Sequence, residues 1–170
     1  MKTAKYLIPV LILGALLAAC QFKKQDTAAP THAVNKPSKN LLTGGQPSQA
    51  ELANLKKTGV TKVINLRSPS EDPSRDEKAE VEALGLTYVS LPINGAADIT
   101  SQNARKLDEL LKGNESVFLH CSSGNRVGAL MAIRAHEIEG KTTDESLQIG
   151  RAAGLGSLEE KVKSVLNEKP

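Results

Sequence analysis

The sequence predicts an α/β fold: a single domain whose mostly parallel central sheet is flanked by helices. Two observations carry this. Across residues 41–167 short apolar runs alternate with longer helix-forming stretches. Capping signatures or glycines mark where those helical stretches begin and end. Strands separated by helices imply a largely parallel sheet with the helices packed on it.

The elements follow in order. Ser48-Gln49-Ala50-Glu51 has the Ser-x-x-Glu spacing of a capping box and opens a helix to about residue 58, where Gly59 stops it. Residues 60–66 read as a strand, with Val60, Val63, Ile64 and Leu66 apolar. A polar, proline-marked loop over 67–74 leads to a helix over 75–84, ended by Gly85. The next strand spans 86–93, a loop covers 94–100, and a helix runs through 112. Val117, Phe118 and Leu119 form the central strand, which closes at His120. Helices follow over 126–139, 143–153 and 157–167, the last two opened by capping boxes at Thr142/Glu145 and Ser157/Glu160. No internal repeat is visible.

Residues 1–19 have another character. Lys2 and Lys5 precede an apolar run over 6–19, short for a membrane span, which ends in Leu17-Ala18-Ala19-Cys20. This order of basic, apolar and small-small-Cys resembles a bacterial lipobox, whose leader is cleaved before a cysteine that then carries lipid. The resemblance implies a signal peptide over 1–19 and lipidation at Cys20. Gln21 after that cysteine implies the periplasmic face of the outer membrane in a bacterial cell envelope. An ordinary signal peptide or a single-pass anchor is the alternative. Residues 20–40 hold two prolines and almost no apolar periodicity, so they read as the lipidated cysteine and a flexible tether. That leaves 41–167 as the folded domain, large enough for one core.

Composition excludes several functions. Lysine and arginine number 22 against 19 acidic residues, a formal charge of +3 that falls to +1 without Lys2 and Lys5. A near-neutral chain offers no electrostatic case for nucleic acid, and lipid is then the expected membrane contact. Beyond the leader the aromatics are Phe22, Tyr88 and Phe118, too few for a stacking platform. No spacing brings two of the histidines, His32, His120 and His136, onto one helix face with a carboxylate, so no metal or other cofactor is expected. Gly-x-Ser-x-Gly and glycine-rich nucleotide loops are absent.

Cys121 is the centre of interest. If Cys20 is acylated, Cys121 has no partner for a disulfide, and an unpaired thiol in an oxidising compartment is a hazard unless it is used. The bland alternative is a buried, inert cysteine. Yet Cys121 leaves a strand, enters the short turn Ser122-Ser123-Gly124-Asn125-Arg126, and precedes a helix. Strand, tight loop and helix N-terminus form an anion cradle, and the same field stabilises a thiolate. Ligands of such sheets sit beyond the carboxyl ends of the strands. Three of those ends present Arg67, the 94–98 loop and Cys121.

His120-Cys121-Ser122-Ser123-Gly124-Asn125-Arg126 resembles the signature loop of cysteine-dependent protein tyrosine and dual-specificity phosphatases. The wider pattern is similar to a bacterial branch, the beta-lactamase-hydrolase-like phosphatases. Its features stand here as Gly45-Gln46-Pro47-Ser48, Val63-Ile64-Asn65-Leu66-Arg67, Gly85-Leu86-Thr87-Tyr88 and Leu91-Pro92. The resemblance covers residues 41–156. One departure stands out: four residues separate Cys121 from Arg126, where the common loop has five. Rhodanese-type sulfurtransferases share the shorter spacing, although the Gly45–Arg67 region fits the phosphatase pattern better.

The resemblance implies a phosphoric monoester hydrolase acting on a phosphorylated protein or a small phosphorylated substrate. Cys121 would attack phosphorus and Arg126 would clamp the phosphoryl oxygens. Amides and hydroxyls of Ser122, Ser123, Gly124 and Asn125 would bind the remainder, and His120 would order the loop. Asp98 is the best-placed general acid, unless it is only the first-turn residue of the next helix. Glu71, Asp72 or water would serve in its place. Arg67 is either a second anion clamp or a partner of Glu71 or Asp72. Gly128 allows close approach between the loop and its helix. Two other functions remain possible: a sulfurtransferase with a Cys121 persulfide, and a non-catalytic anion-binding domain.

Overall fold

The computed structural model describes residues 34–113 and 115–168. The leader, Cys20 and the tether up to residue 33 lie outside the described residues.

The strands are β1 (Asn35–Ser38), β2 (Leu41–Gly44), β3 (Lys62–Asn65), β4 (Thr87–Ser90) and β5 (Val117–His120). They form one sheet in the order β1-β2-β5-β3-β4. Every neighbouring pair is parallel except β1 and β2, an antiparallel hairpin at one edge. The α/β expectation therefore holds, with one correction. Residues 35–38, which the sequence assigns to the tether, are the edge strand, and β2 has no counterpart among the expected elements. A run such as Asn-Lys-Pro-Ser has no apolar alternation to announce a strand. Its conformation comes from pairing, and Pro37 is tolerable because an edge strand leaves one row of amides unpaired.

The helices among the described residues are α1 (Gln49–Lys57), α2 (Glu77–Ala83), α3 (Ser101–Leu111), α4 (Asn125–Glu137), α5 (Thr143–Ala152) and α6 (Glu159–Asn167). The boxes at Ser48/Glu51 and Thr142/Glu145 form as expected. The Ser157/Glu160 box does not: Leu158 is the α6 N-cap, and the Ser157 hydroxyl instead accepts a bond from Asn125 Nδ2 at 2.7 Å.

Alternate side chains of β2 through β5 serve two cores. Ile64, Val117 and Leu119 pack with α3, α4, α5 and α6, whereas Val63 and Phe118 pack with Leu52 and Leu55 of α1 and Val81 of α2. Each large apolar side chain so buried stabilises the fold by about 1.5–3 kcal/mol. The most deeply buried helix is α4, where Val127 through Ile133 are all enclosed. This helix sits against the centre of the sheet, and its first residues are the end of the signature loop.

Candidate active site

The site is built where parallel strands end together. Gly44, His120 and Asn65 stand abreast in the ladder, and Asn65 pairs onward with Ser90. Beyond this row β2 continues as a strut: Gly45 bridges Ser123 antiparallel, and Gln46 N–H donates to the Ser122 carbonyl at 3.1 Å.

Cys121 follows β5 directly and is 1% exposed. Gly124, the N-cap of α4, has φ +91° and no side chain to cap the helix, so no cap side chain competes with a ligand for the first-turn amides. The Gly124 N–H points at Cys121 Sγ from 3.1 Å. Ser122 and Ser123 are exposed beside it.

What holds this loop is backbone contact. A Cβ on Gly128 would meet Leu155 N at 2.0 Å and Gly150 O at 2.6 Å. The close approach foreseen at Gly128 is therefore made with the end of α5, and not with the loop itself. Asn125 strengthens the same joint. Its Oδ1 accepts from Gly156 N at 2.9 Å and its Nδ2 donates to Ser157. The Asn125 side chain is thus a brace, and the role expected of Asn125 toward an anion rests on its backbone amide alone.

Arg126 makes a fork. Its Nη1 and Nη2 each donate to one oxygen of Glu71 at 2.7 Å, and Nη1 also donates to the Ile93 carbonyl at 2.7 Å. The hydrogen bond from Arg126 holds the Glu71 carboxyl down to about 2. The Glu71 bond, and after it the nearby Cys121 sulfur, push Arg126 above its ordinary value. Glu71 ends a short 3-10 turn, Pro69–Glu71, capped by Ser68, whose N–H donates back to Glu71 Oε1 at 2.8 Å.

Arg67 lies on the other side of Glu71. Its Nη1 donates to Gln46 Oε1 at 2.6 Å and sits 3.8 Å from Asp72 Oδ2. Its Nε is buried without a hydrogen-bond acceptor, 3.6 Å from Glu71 Oε2. Both carboxylates suggested as its partners are therefore near it.

Behind the loop is a polar cluster. His120 is fully buried, stacked on Phe118, with Nε2 2.7 Å from Glu77 Oε1 and Nδ1 3.3 Å from the Cys121 carbonyl. Gln46 Nε2 donates to Glu77 Oε2 at 2.5 Å, and Asn65 Nδ2 lies between that oxygen and Tyr88 Oη. Burial pushes the Glu77 carboxyl up, but His120, Gln46 and Arg75 outweigh it and hold it below the carboxylate range. A cleft of about 530 Å³ adjoins this cluster, lined by Asn65, Arg67, Ser68 and Tyr88 among others.

Asp98 does not open a helix. Thr100, and not Asp98, caps α3. The Asp98 carboxylate closes its own loop by accepting from Asn94 N at 2.7 Å and Asn94 Nδ2 at 3.0 Å.

The structure thus joins Cys121, Gly124, Arg126, Arg67 and His120 in one constellation. Glu71 and Glu77 belong to it as Arg126 and His120 partners that sequence reasoning does not assign. Ser68-Pro69-Ser70-Glu71 repeats the Ser-x-x-Glu spacing read elsewhere as a capping box and is the available signal for Glu71. Glu77 has none, because a glutamate opening a helix is ordinarily solvated. Among the described residues no three His, Cys, Asp or Glu side chains are grouped as metal ligands.

Comparison with known proteins agrees with this geometry. A family model described as DSP-PTPase phosphatase fused to NAD+ kinase matches residues 16–166. A beta-lactamase hydrolase-like protein of Xylella fastidiosa is 32% identical over 124 residues, which are 69% of this chain and 28% of that protein. The chain therefore spans little more than a quarter of that relative's length. A Neisseria meningitidis structure described as a phosphatase superposes with TM-score 0.65 at 22% identity, covering 77% of this chain and 96% of its own. The P. aeruginosa protein TpbA, solved as a cysteine-to-serine form with phosphotyrosine, gives TM-score 0.56 at 17% identity over 80% of this chain and 88% of its own. At these identities the two structures share the fold.

Proposed function

The chain belongs to the DSP-PTPase phosphatase family, and on that premise we propose that it hydrolyses phosphoric monoesters through a cysteinyl-phosphate on Cys121. The observation that carries the reading is the Cys121–Arg126 loop: a sulfur facing an N–H donor at 3.1 Å, an uncapped helix start, and a guanidinium reaching the same place.

The Cys121 thiolate attacks phosphorus in line, the S–P bond forms, and the bond to the leaving oxygen breaks. Arg126 binds two phosphoryl oxygens through Nη1 and Nη2, a bidentate fit lysine cannot reproduce. Loop amides take up the charge that develops in the transition state. Asp98 is the proposed acid for the leaving oxygen. Its support is that its loop follows directly on Ile93, whose carbonyl accepts from Arg126 Nη1 at 2.7 Å. Water then attacks phosphorus, its proton passes to the Asp98 carboxylate, and inorganic phosphate leaves with the thiolate restored.

The substrate is proposed as a phosphorylated protein or small phosphorylated compound. Cys20 is proposed as a lipid anchor at the periplasmic face of the outer membrane, on the strength of the Leu17-Ala18-Ala19-Cys20 pattern. No described helix is long and apolar enough to cross a membrane. Diacylglycerol on Cys20 in mass spectra of protein expressed with its leader is the expected result; an unmodified Cys20 ends the anchor proposal.

The four-residue spacing is the one observation that favours a persulfide carrier, so the test offers both chemistries. Wild type should release phosphate from para-nitrophenyl phosphate, and Cys121→Ser should not. Thiocyanate formation from thiosulfate and cyanide without phosphate release would replace this reading.

A further inference from the structure

The two outer nitrogens of Arg126 that the phosphatase reading assigns to phosphoryl oxygens are held by the two oxygens of Glu71. A carboxylate spaced across that fork imitates the substrate's own oxygens. Glu71 also has a second cation beside it. Arg67 Nε is a buried donor with no hydrogen-bond acceptor, and Glu71 Oε2 stands 3.6 Å from it. A displacement of about 1 Å would bring that oxygen into hydrogen-bond range.

Resting on the phosphatase reading, we infer that Glu71 is an internal anion competing with substrate for Arg126, and that Arg67 is the positioning residue that receives Glu71 when a phosphoryl group binds. Each contact supports this exchange. A buried donor left unpaired is unfavourable, so the movement of Glu71 gains a partner on one side as it gives one up on the other. Glu71 belongs to a three-residue turn bordering the 530 Å³ cleft, so its shift needs no repacking of either core. The group does not escape by protonation at working pH, since its carboxyl is held down to about 2. Without Arg67, a displaced Glu71 would stand as a bare carboxylate beside a phosphoryl dianion and near Asp72. Like charges there oppose binding.

The test is a double-mutant cycle on Glu71→Gln and Arg67→Gln. It reads inorganic phosphate affinity by calorimetry and para-nitrophenyl phosphate kinetics together. The amide introduced by Glu71→Gln keeps an oxygen for Ser68 N–H but removes the competing charge. Glu71→Gln should tighten phosphate and lower KM about tenfold, and Arg67→Gln should weaken both about tenfold, by coupling of neighbouring groups. In the double variant the Arg67 effect should vanish, because no carboxylate remains to receive. If Arg67→Gln weakens phosphate equally in both backgrounds, Arg67 binds phosphate itself and the inference is wrong. If Glu71→Gln raises KM and lowers kcat together, Glu71 only aligns Arg126, and the inference is again wrong. Thermal melts establish that each variant folds; Glu71→Ala carries the same expectation should Glu71→Gln not fold. Failure of every form, wild type included, to bind or hydrolyse phosphate would overturn the phosphatase reading and this inference with it.

Discussion

Two loops meet at Arg126 and are held in opposite ways. The Cys121–Arg126 loop is gripped by backbone: the Gly45–Ser123 bridge on one side and the α4–α5 crossing at Gly128 on the other. The 94–98 loop is closed by its own carboxylate, Asp98 on Asn94, and follows directly on Ile93, whose carbonyl accepts from Arg126. Contacts between backbones permit no adjustment, whereas a loop closed by a side chain can reopen. The difference suits the two tasks proposed for them. A nucleophile must be preorganised, while an acid must follow a leaving group in and out of the site.

The largest expected effect tests the rigid loop's chemistry. Cys121→Ser should abolish phosphate release, by about 10⁴-fold or more, since removing a nucleophile removes the covalent route. Its melting temperature should stay near that of wild type, because a hydroxyl can accept from Gly124 N–H as sulfur does. Turnover surviving this change would break the comparison at its root. Next comes the grip itself. Gly128→Ala places a methyl where Leu155 N would be 2.0 Å away. Since this is backbone against backbone, stability should fall by about 3 kcal/mol or more. Thermal unfolding measures it, and a loss within about 0.5 kcal/mol, the range of an ordinary surface change, would show that the α4–α5 joint does not fix the loop.

The same contrast explains what is legible in the chain without its structure. Strands such as 117–120 and the Ser48 and Thr142 boxes are readable because burial and capping impose local residue patterns. Cys121, Gly124 and Arg126 are readable because the rigid loop demands those residue types at that spacing. β1 leaves no mark, since Asn35–Ser38 owes its conformation to pairing with β2. Glu77 is equally hidden: its burial depends on His120, 43 residues away, and no local pattern encodes such a partner. The bracing role of the Asn125 side chain is not legible in the sequence because its partners, Gly156 and Ser157, come from another helix junction.

Arg126→Lys probes the point where the loops touch. Losing bidentate geometry in the transition state should lower kcat/KM by about 100-fold, or near 3 kcal/mol. An effect under about threefold would mean that charge alone suffices there. Asp98→Asn turns to the adjustable side. An asparagine oxygen can still accept from Asn94, so the loop should keep its shape while losing a proton donor. With an alkyl phosphate, kcat should fall about 100-fold, as general acid catalysis commonly supplies. The fall should be smaller with para-nitrophenyl phosphate, whose leaving group needs little help. Equal rates for both substrates in wild type and variant would remove Asp98 from the mechanism.

The smallest effect concerns the acid limb of stability. Glu71 has a carboxyl near 2 in the folded protein against an ordinary 4.5, so its contribution is present above about pH 4.5 and is lost as pH falls toward 2. The pair is partly open to water, with the Glu71 side chain 28% exposed, so screening limits the contribution to about 1 kcal/mol. Glu77 and Glu80 are also shifted downward and add to the same limb in wild type and in Glu71→Gln alike. The difference between wild type and Glu71→Gln isolates the one group. Urea unfolding at about pH 6 should favour wild type slightly, and that advantage should shrink between about pH 4.5 and 2.5. An advantage that stays constant across this window would show that Glu71 does not hold Arg126 in solution, and the carboxylate would then belong with the freely adjusting side of the site.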